Sequence, residues 1–360
     1  MPRSQELRPR MPLLGVFAVS LLIAVGGCTH IAIEDCGGEV LGDNRPRIRS
    51  SHFRMFLADL PEATDRFVAY AAMSSLAYAE DHDCGTAAEE QKISPQDREK
   101  LEGILKARGW KEIREPLWVL PCEDDRGMYL RIFERTVDGR KEVTIAFRGT
   151  WGFKDWVYGN GHWLTRWLPM QDQYSRARVA AAKVFQYYDA QSGVPPRYFT
   201  TGHSLGGGLA QHILYSNPNR VVQAFAFDPS SVTGFADQTV ENQIAACACD
   251  PSVADGESRI YRVYDAYEIL ANLRIFHKLF FPPERHVQEV RFPHEGSHSM
   301  LGLTNYLDAN AKSERDRRTP WFRGLGEFSP GVSCTSAFVD RQRSSCSVPV
   351  TKDSWTKCPQ

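Results

Sequence analysis

The eleven residues from Thr200 to Ala210, Thr-Thr-Gly-His-Ser-Leu-Gly-Gly-Gly-Leu-Ala, constrain the fold more than any other stretch of the chain. An apolar and aromatic run ends at Thr201, a serine flanked by glycines follows, and an alanine- and leucine-rich stretch begins at once. The pattern reads strand, tight turn, helix, which is the setting of a nucleophile elbow around Ser204. The reason is steric. So sharp a turn holds the serine in a sparsely populated backbone conformation that lifts its hydroxyl clear of the sheet, and side chains at Gly202 or Gly206 would collide as strand and helix close. Gly207 and Gly208 let the helix come nearer still. Its first N–H groups have no intrahelical acceptor and can hold a developing negative charge. Glycine makes up 27 of 360 residues, so a bare Gly-x-Ser-x-Gly arises by accident with a chance on the order of 10%. The strand before it and the helix after it carry the specificity.

The flanking elements agree with that placement. Pro61 opens a helix to about Ala79, and a second helix spans about Pro95 to Arg108 with Gly109 as its C-cap. Met128 to Val137 and Lys141 to Phe147 alternate apolar with polar around Asp138-Gly139, the strongest hairpin signal in the chain. A helical period covers residues 172 to 190, and Arg197 to Thr201 is the strand that leads into the elbow. Val221 to Phe227 is almost continuously apolar, as a strand covered on both faces should be. Arg259 to Tyr264 and Gln288 to Phe292 are further strands, and Leu301 to Ala309 is part of a helix. Strand and helix in alternation behind an initial hairpin predict an α/β fold, and with the Gly-x-Ser-x-Gly elbow it resembles the α/β-hydrolase type. Its central, mostly parallel sheet would be covered by helices on both faces, with the serine at the carboxyl end of a strand.

A serine hydroxyl is a poor nucleophile until a base takes its proton and an acid fixes the base in one tautomer. Two acids follow predicted strands, Asp228 and Asp265. Asp265 is preferred, because Asp228 is bound up with Pro229 and Ser230 and can equally cap the following turn. Among His277, His286, His294 and His298, the last lies in a small-residue loop at the mouth of a helix, where an imidazole can swing over the sheet. His298 is therefore the preferred base and His294 the alternative. His203 reads as a packing or hydrogen-bonding residue, and His212 lies too far along the elbow helix.

Three motifs together resemble the class 3, or fungal-type, lipase family. They are Ile145-Ala146-Phe147-Arg148-Gly149-Thr150 with Asp155-Trp156, the elbow itself, and Val263-Tyr264-Asp265; the helix bearing Ser74-Ser75-Leu76-Ala77-Tyr78 is similar to the family's early helix as well. The resemblance covers about residues 62 to 310. It implies Ser204 as nucleophile, Asp265 as acid, and an oxyanion hole made by Thr150 and the N–H of Leu205. It also implies a lid just after Thr150, in a segment that carries Trp151, Trp156, Trp163 and Trp167; a buried aromatic cluster and a substrate-contacting flap are both open readings of these four. The activity implied is carboxylic ester hydrolysis through an acyl-enzyme, with no cofactor or metal. Triacylglycerol lipase or esterase leads, and phospholipase A1 is the alternative. A catalytically silent, envelope-anchored binding or scaffold lipoprotein is the rival from another class. Two departures stand out: Asp228 where the family has a small residue before proline, and a short spacing between Asp265 and His298.

The ends carry further expectations. Arg3, Arg8 and Arg10 precede an apolar run from Met11 to Val25, so residues 1–27 read as a signal peptide. Val25-Gly26-Gly27-Cys28 resembles a bacterial lipobox, which implies lipidation at Cys28 and an outer-membrane lipoprotein of the cell envelope. Residues 28–60 are expected to lie across the surface, residues 61–315 to form the hydrolase domain, and residues 316–360 to be a disulfide-pinned tail. Eight cysteines besides Cys28 are an even set, read as up to four disulfides of undetermined pairing. Loss of the leader removes three arginines and one glutamate and moves the net charge from −1 to −3, which points away from nucleic acid. The expected partners are a lipid or ester substrate and, through the anchor, a membrane; no protein partner is indicated.

Overall fold

The computed structural model describes residues 47–49, 55–57, 60–79, 93–114, 128–149, 173–191, 193–230, 233–235, 238–247, 258–265, 287–294, 298–311 and 327–328. Ten strands make one sheet: β1 (Arg47–Arg49), β2 (Met55–Leu57), β3 (Lys111–Ile113), β4 (Leu130–Val137), β5 (Arg140–Phe147), β6 (Arg197–His203), β7 (Val221–Phe227), β8 (Ile260–Asp265), β9 (Val287–Phe292) and β10 (Glu327–Phe328). Their order is β10-β2-β1-β9-β8-β7-β6-β5-β4-β3. The five from β5 to β9 run parallel. The strands at the two sides are antiparallel.

Among the described residues six helices accompany them: α1 (Leu60–Leu76), α2 (Pro95–Lys106), α3 (Gln173–Gln191), α4 (Leu205–Ser216), α5 (Val240–Cys247) and α6 (Met300–Asn310). Successive strand residues point to opposite faces, and the parallel strands are buried on both. On one face Phe199, Phe225, Phe227, Tyr261, Val263 and Phe292 pack with α1, α2 and α6. On the other Val143, Ile145, Tyr198, Ala224, Ile260 and Val287 pack with α3 and α4. This is a mixed α/β sheet flanked by helices, an α/β-hydrolase-type fold.

The local chemistry explains the elements. Ser94 caps α2 by accepting from the Asp97 N–H at 3.1 Å, with Pro95 at the first helical position, and Gly109 beyond the helix adopts φ +74°. Asp138 and Gly139 both have positive φ, 49° and 76°, as a two-residue hairpin turn requires. The alternation legible in the sequence thus resolves into β4 and β5 in register from Leu130 opposite Phe147 to Val137 opposite Arg140.

Several features differ from the sequence reading. The stretch expected to lie across the surface contributes β1 and β2, and the aperiodic tail contributes β10, all to the same sheet. Strands of two or three residues are too short to display a period. α5 was also missed, because Val240–Cys247 spans little more than two turns.

The disulfide and membrane expectations are corrected. No disulfide is seen among the residues whose side chains are described, and no helix among the described residues is long and apolar enough to cross a membrane. Cys28 and the stretch read as a signal peptide lie outside the described residues, as do Thr150 and the tryptophans at 151, 156, 163 and 167.

Candidate active site

The elbow forms where the sequence places it. β6 ends at His203, α4 starts at Leu205, and Ser204 between them has φ 56° and ψ −123°, a region costly for any residue with a side chain. The neighbours hold it there. Its N–H donates to the Phe227 carbonyl at 2.9 Å, and its own carbonyl accepts from Gly207, Gly208 and Ser230. A Cβ on Gly202 would lie 2.4 Å from the Gly206 backbone, and one on Gly206 would lie 2.2 Å from the Phe147 carbonyl oxygen. The glycines therefore permit backbone to meet backbone. The N–H of Leu205, first in α4, belongs to the set that has no acceptor within the helix.

β5 brings its end to the same place. A Cβ on Gly149 would sit 3.2 Å from the Ser204 Cβ and 2.1 Å from the Tyr78 hydroxyl. Tyr78 takes a hydrogen bond from the Gly149 N–H and shares one with His203 Nδ1 at 2.9 Å. Burial pushes its phenol far above the ordinary range, against the lowering effects of that N–H and of the Arg148 charge. Two hydroxyls upstream lock the same helix: Ser74 Oγ hydrogen-bonds Thr201 Oγ1 at 2.8 Å, and Ser75 Oγ bonds Thr304 Oγ1 at 2.9 Å. The Ser-Ser-Leu-Ala-Tyr stretch thereby ties the elbow strand to α6.

The titratable residues fall into two groups. Asp265, at the end of β8, pairs its Oδ1 with His294 Nδ1 at 3.0 Å, and the His294 ring lies 4.8 Å from that of Tyr306. Burial and then the Asp265 charge raise the Tyr306 phenol. Asp228, next after β7 and buried, has φ 38°. Its Oδ1 accepts from the Asp265 N–H at 3.3 Å, so the Asp228 carboxylate meets the backbone at the end of β8. His298, with φ 60°, stands with its ring centroid 4.5 Å from that of His203. One ligand atom from each of His203, Asp228 and His298 lies within 4.8 Å of the others.

The sequence reading prefers His298 as the partner of Asp265; a contact at that carboxylate is made by His294, and His298 is grouped with His203 and Asp228. His294 occupies the Asp265 carboxylate, and His298 sits with Asp228. The reason is positional: Pro293 and His294 follow β9, the neighbour of β8, so the first histidine after the strand meets the adjacent carboxylate. His203 both packs and hydrogen-bonds, as the sequence reading expects: it shares a hydrogen bond with Tyr78, and its ring lies against that of His298. Its place directly before the serine was the signal available in the sequence. His212 lies away from this group, hydrogen-bonded to Arg178 at 2.8 Å and to the Thr233 carbonyl at 3.1 Å.

No protein-family model matches the chain, and no curated protein matches it. Solved structures similar in part include carboxyl esterase 2 from the mycorrhizal fungus Tuber melanosporum, at 13% identity and a TM-score of 0.28 over 56% of this chain and 84% of that one. A zinc-bound cold-adapted esterase from an Arctic intertidal metagenomic library is similar at 14% identity and a TM-score of 0.23, over 53% of this chain and 97% of that one. The iron-lacking apo form of ESTFA is similar at 12% and 0.28, over 80% and 97%. Likenesses this loose carry no argument about activity. The class is defined by the fold, an α/β-hydrolase-type sheet with a strained serine at the carboxyl end of a central strand.

Proposed function

We propose that the protein is a serine-dependent carboxylic ester hydrolase that works through an acyl-enzyme on Ser204, with acylglycerol or simpler acyl esters as substrate. The observation that carries this reading is the backbone of Ser204, at φ 56° directly before a helix, in surroundings where Gly202 and Gly206 admit no side chain. That strain has a use if the hydroxyl must stand clear of the sheet. The likenesses to the class 3 lipases over residues 145–150, at Asp155-Trp156, over residues 263–265 and over residues 74–78 support the same reading and favour acylglycerols.

His298 is the base in this proposal. Neighbouring strands are about 4.8 Å apart, so His294, at the end of β9, starts about 14 Å from the serine strand and reaches back only to β8. His298 lies against His203, the residue joined to Ser204. The orienting anion comes from the Asp228–Asp265 pair, of which Asp228 is the member beside His298. The Ser204 Oγ attacks the acyl carbon as His298 takes its proton, and the oxyanion rests on the N–H groups of Leu205 and Thr150. The C–O bond to the alcohol then breaks, with the imidazolium returning the proton to the leaving oxygen. Water attacks the acyl-enzyme by the same route, giving the acid and the free serine.

Replacement Ser204→Ala should lower hydrolysis of a short-chain nitrophenyl ester about 10⁴-fold or more while leaving the far-ultraviolet circular dichroism unchanged. Equal rates for the two proteins would refute the assignment. The 3.0 Å contact of His294 with Asp265 favours one second reading, a relay through that couple. His298→Asn should abolish turnover and His294→Asn should keep it within about tenfold; the reverse order would establish the second couple instead.

A further inference from the structure

We propose that His203, Asp228 and His298 form a binding site for a divalent transition metal, Zn2+ above all, and that its occupation arrests ester hydrolysis by withdrawing His298 from proton transfer. The inhibitory half rests on His298 as the base; the binding half stands without it. Three elements supply the donors: the end of β6, the residue after β7 and the loop leading into α6. Two imidazoles and one carboxylate are a donor set that Zn2+ and its first-row neighbours accept readily. His203 and Asp228 are buried and His298 half-buried, which favours direct ligation over an outer-sphere ion.

The spacing is close to what a metal needs. Ligands 2.0–2.1 Å from a tetrahedral zinc stand about 3.3 Å apart. These donors lie within 4.8 Å of one another, so the group has to contract by no more than about 1.5 Å at its longest edge. A second contact supports the assignment independently. His203 Nδ1 is 2.9 Å from the Tyr78 hydroxyl, whose oxygen also accepts from the Gly149 N–H. In the tautomer that carries the proton on Nδ1 and donates it to Tyr78, which metal binding would select, His203 presents the Nε2 lone pair to the cluster. An outer partner of this kind commonly fixes a metal-binding histidine in tautomer and orientation. A bound cation would also offset the Asp228 charge, which is now held among buried groups.

The test uses the full chain in a Ser204→Ala background, freed of metal with a chelator, so that no hydrolytic event enters the binding measurement. Zn2+ is titrated calorimetrically, and Co2+ is titrated with detection of its visible d–d bands. One site with nitrogen and oxygen ligands is expected, without the charge-transfer band that a cysteine thiolate would add. His298→Asn and Asp228→Asn should each weaken it about 100-fold or more, since altering even an outer partner commonly costs 10–100-fold. His294→Asn, outside the trio, should bind as the parent does. Affinity unchanged in His298→Asn and in Asp228→Asn would overturn the site, as would a cobalt spectrum of thiolate type that both variants retain. In the Ser204 protein, Zn2+ should suppress ester hydrolysis and chelator should restore it. Binding without any hydrolytic activity to suppress would refute the proposed function and leave the site standing. Activity indifferent to bound Zn2+ would refute the inhibition.

Discussion

The same substitution, glycine to alanine, should have opposite consequences at two helical positions. Gly103 lies within α2, and a Cβ there meets nothing within 4 Å. Alanine removes backbone freedom from the unfolded chain and suits a helix, so Gly103→Ala should stabilise the protein by about 0.5–1 kcal/mol. Gly206, in the first turn of α4, would gain the same intrinsic advantage. Its Cβ, however, would lie 2.2 Å from the Phe147 carbonyl oxygen and 2.8 Å from the Arg148 carbonyl carbon. Both obstacles are backbone in or beside a strand paired on both sides, so neither can rotate away. Relief requires β5 and α4 to part by about 1 Å, which costs about 3 kcal/mol or more, for a net loss of about 2 kcal/mol or more after the propensity gain. That displacement also moves Gly149 away from Ser204 and opens the oxyanion side of the site. Urea unfolding of both variants measures the stabilities, and nitrophenyl ester turnover measures the site. A Gly206→Ala protein as stable and as active as Gly103→Ala would refute the claim that close backbone approach builds the elbow.

Two further outcomes follow from buried polar contacts. Tyr78→Phe keeps the ring but removes the oxygen shared by His203 Nδ1 and the Gly149 N–H. It should cost about 2–6 kcal/mol, at about 1–3 kcal/mol for each group deprived of a partner, visible as a lower urea midpoint, whereas an unchanged midpoint would show that the oxygen holds nothing. Glu134 is partly desolvated, which by itself would raise its carboxyl, but hydrogen bonds from Lys111 and Tyr188 and the Lys141 charge hold it below the ordinary range. A depressed carboxylate stabilises the fold above the unfolded value of about 4.3, and that contribution is lost as pH falls through the lower folded value. Stability of the parent should therefore fall through that acid window more steeply than that of Glu134→Gln; parallel curves would refute the coupling.

The parallel core and the elbow were legible in the sequence because their signals are local. Val221 to Phe227 is apolar throughout because both faces are covered, and the glycines around Ser204 mark a turn no other residue tolerates. The side strands were not legible. β1, β2 and β10 exist through pairing with β9 and with one another, a long-range condition that leaves no period in three residues. The histidine partners were harder for a related reason. Asp228, His294 and His298 all follow strands or precede a helix, and only the lateral order of those strands decides which imidazole meets which carboxylate. The order of β9 beside β8 gave Asp265 to His294. The hydroxyl pairs of Ser74 and Ser75 are similarly invisible in sequence, because their partners Thr201 and Thr304 lie 127 and 229 positions away.

Those two serines have a consequence for how the molecule is born. Ser75 and Thr304 touch across 229 positions of chain, and α1 lies between the elbow strand and the last major helix. At about 5–20 residues per second of synthesis, the early helix waits some 10–45 seconds with an oily flank that has nothing to rest on. Until α6 is made, the growing sheet has an open seam on that side, and that interval is when a chaperone has most to protect.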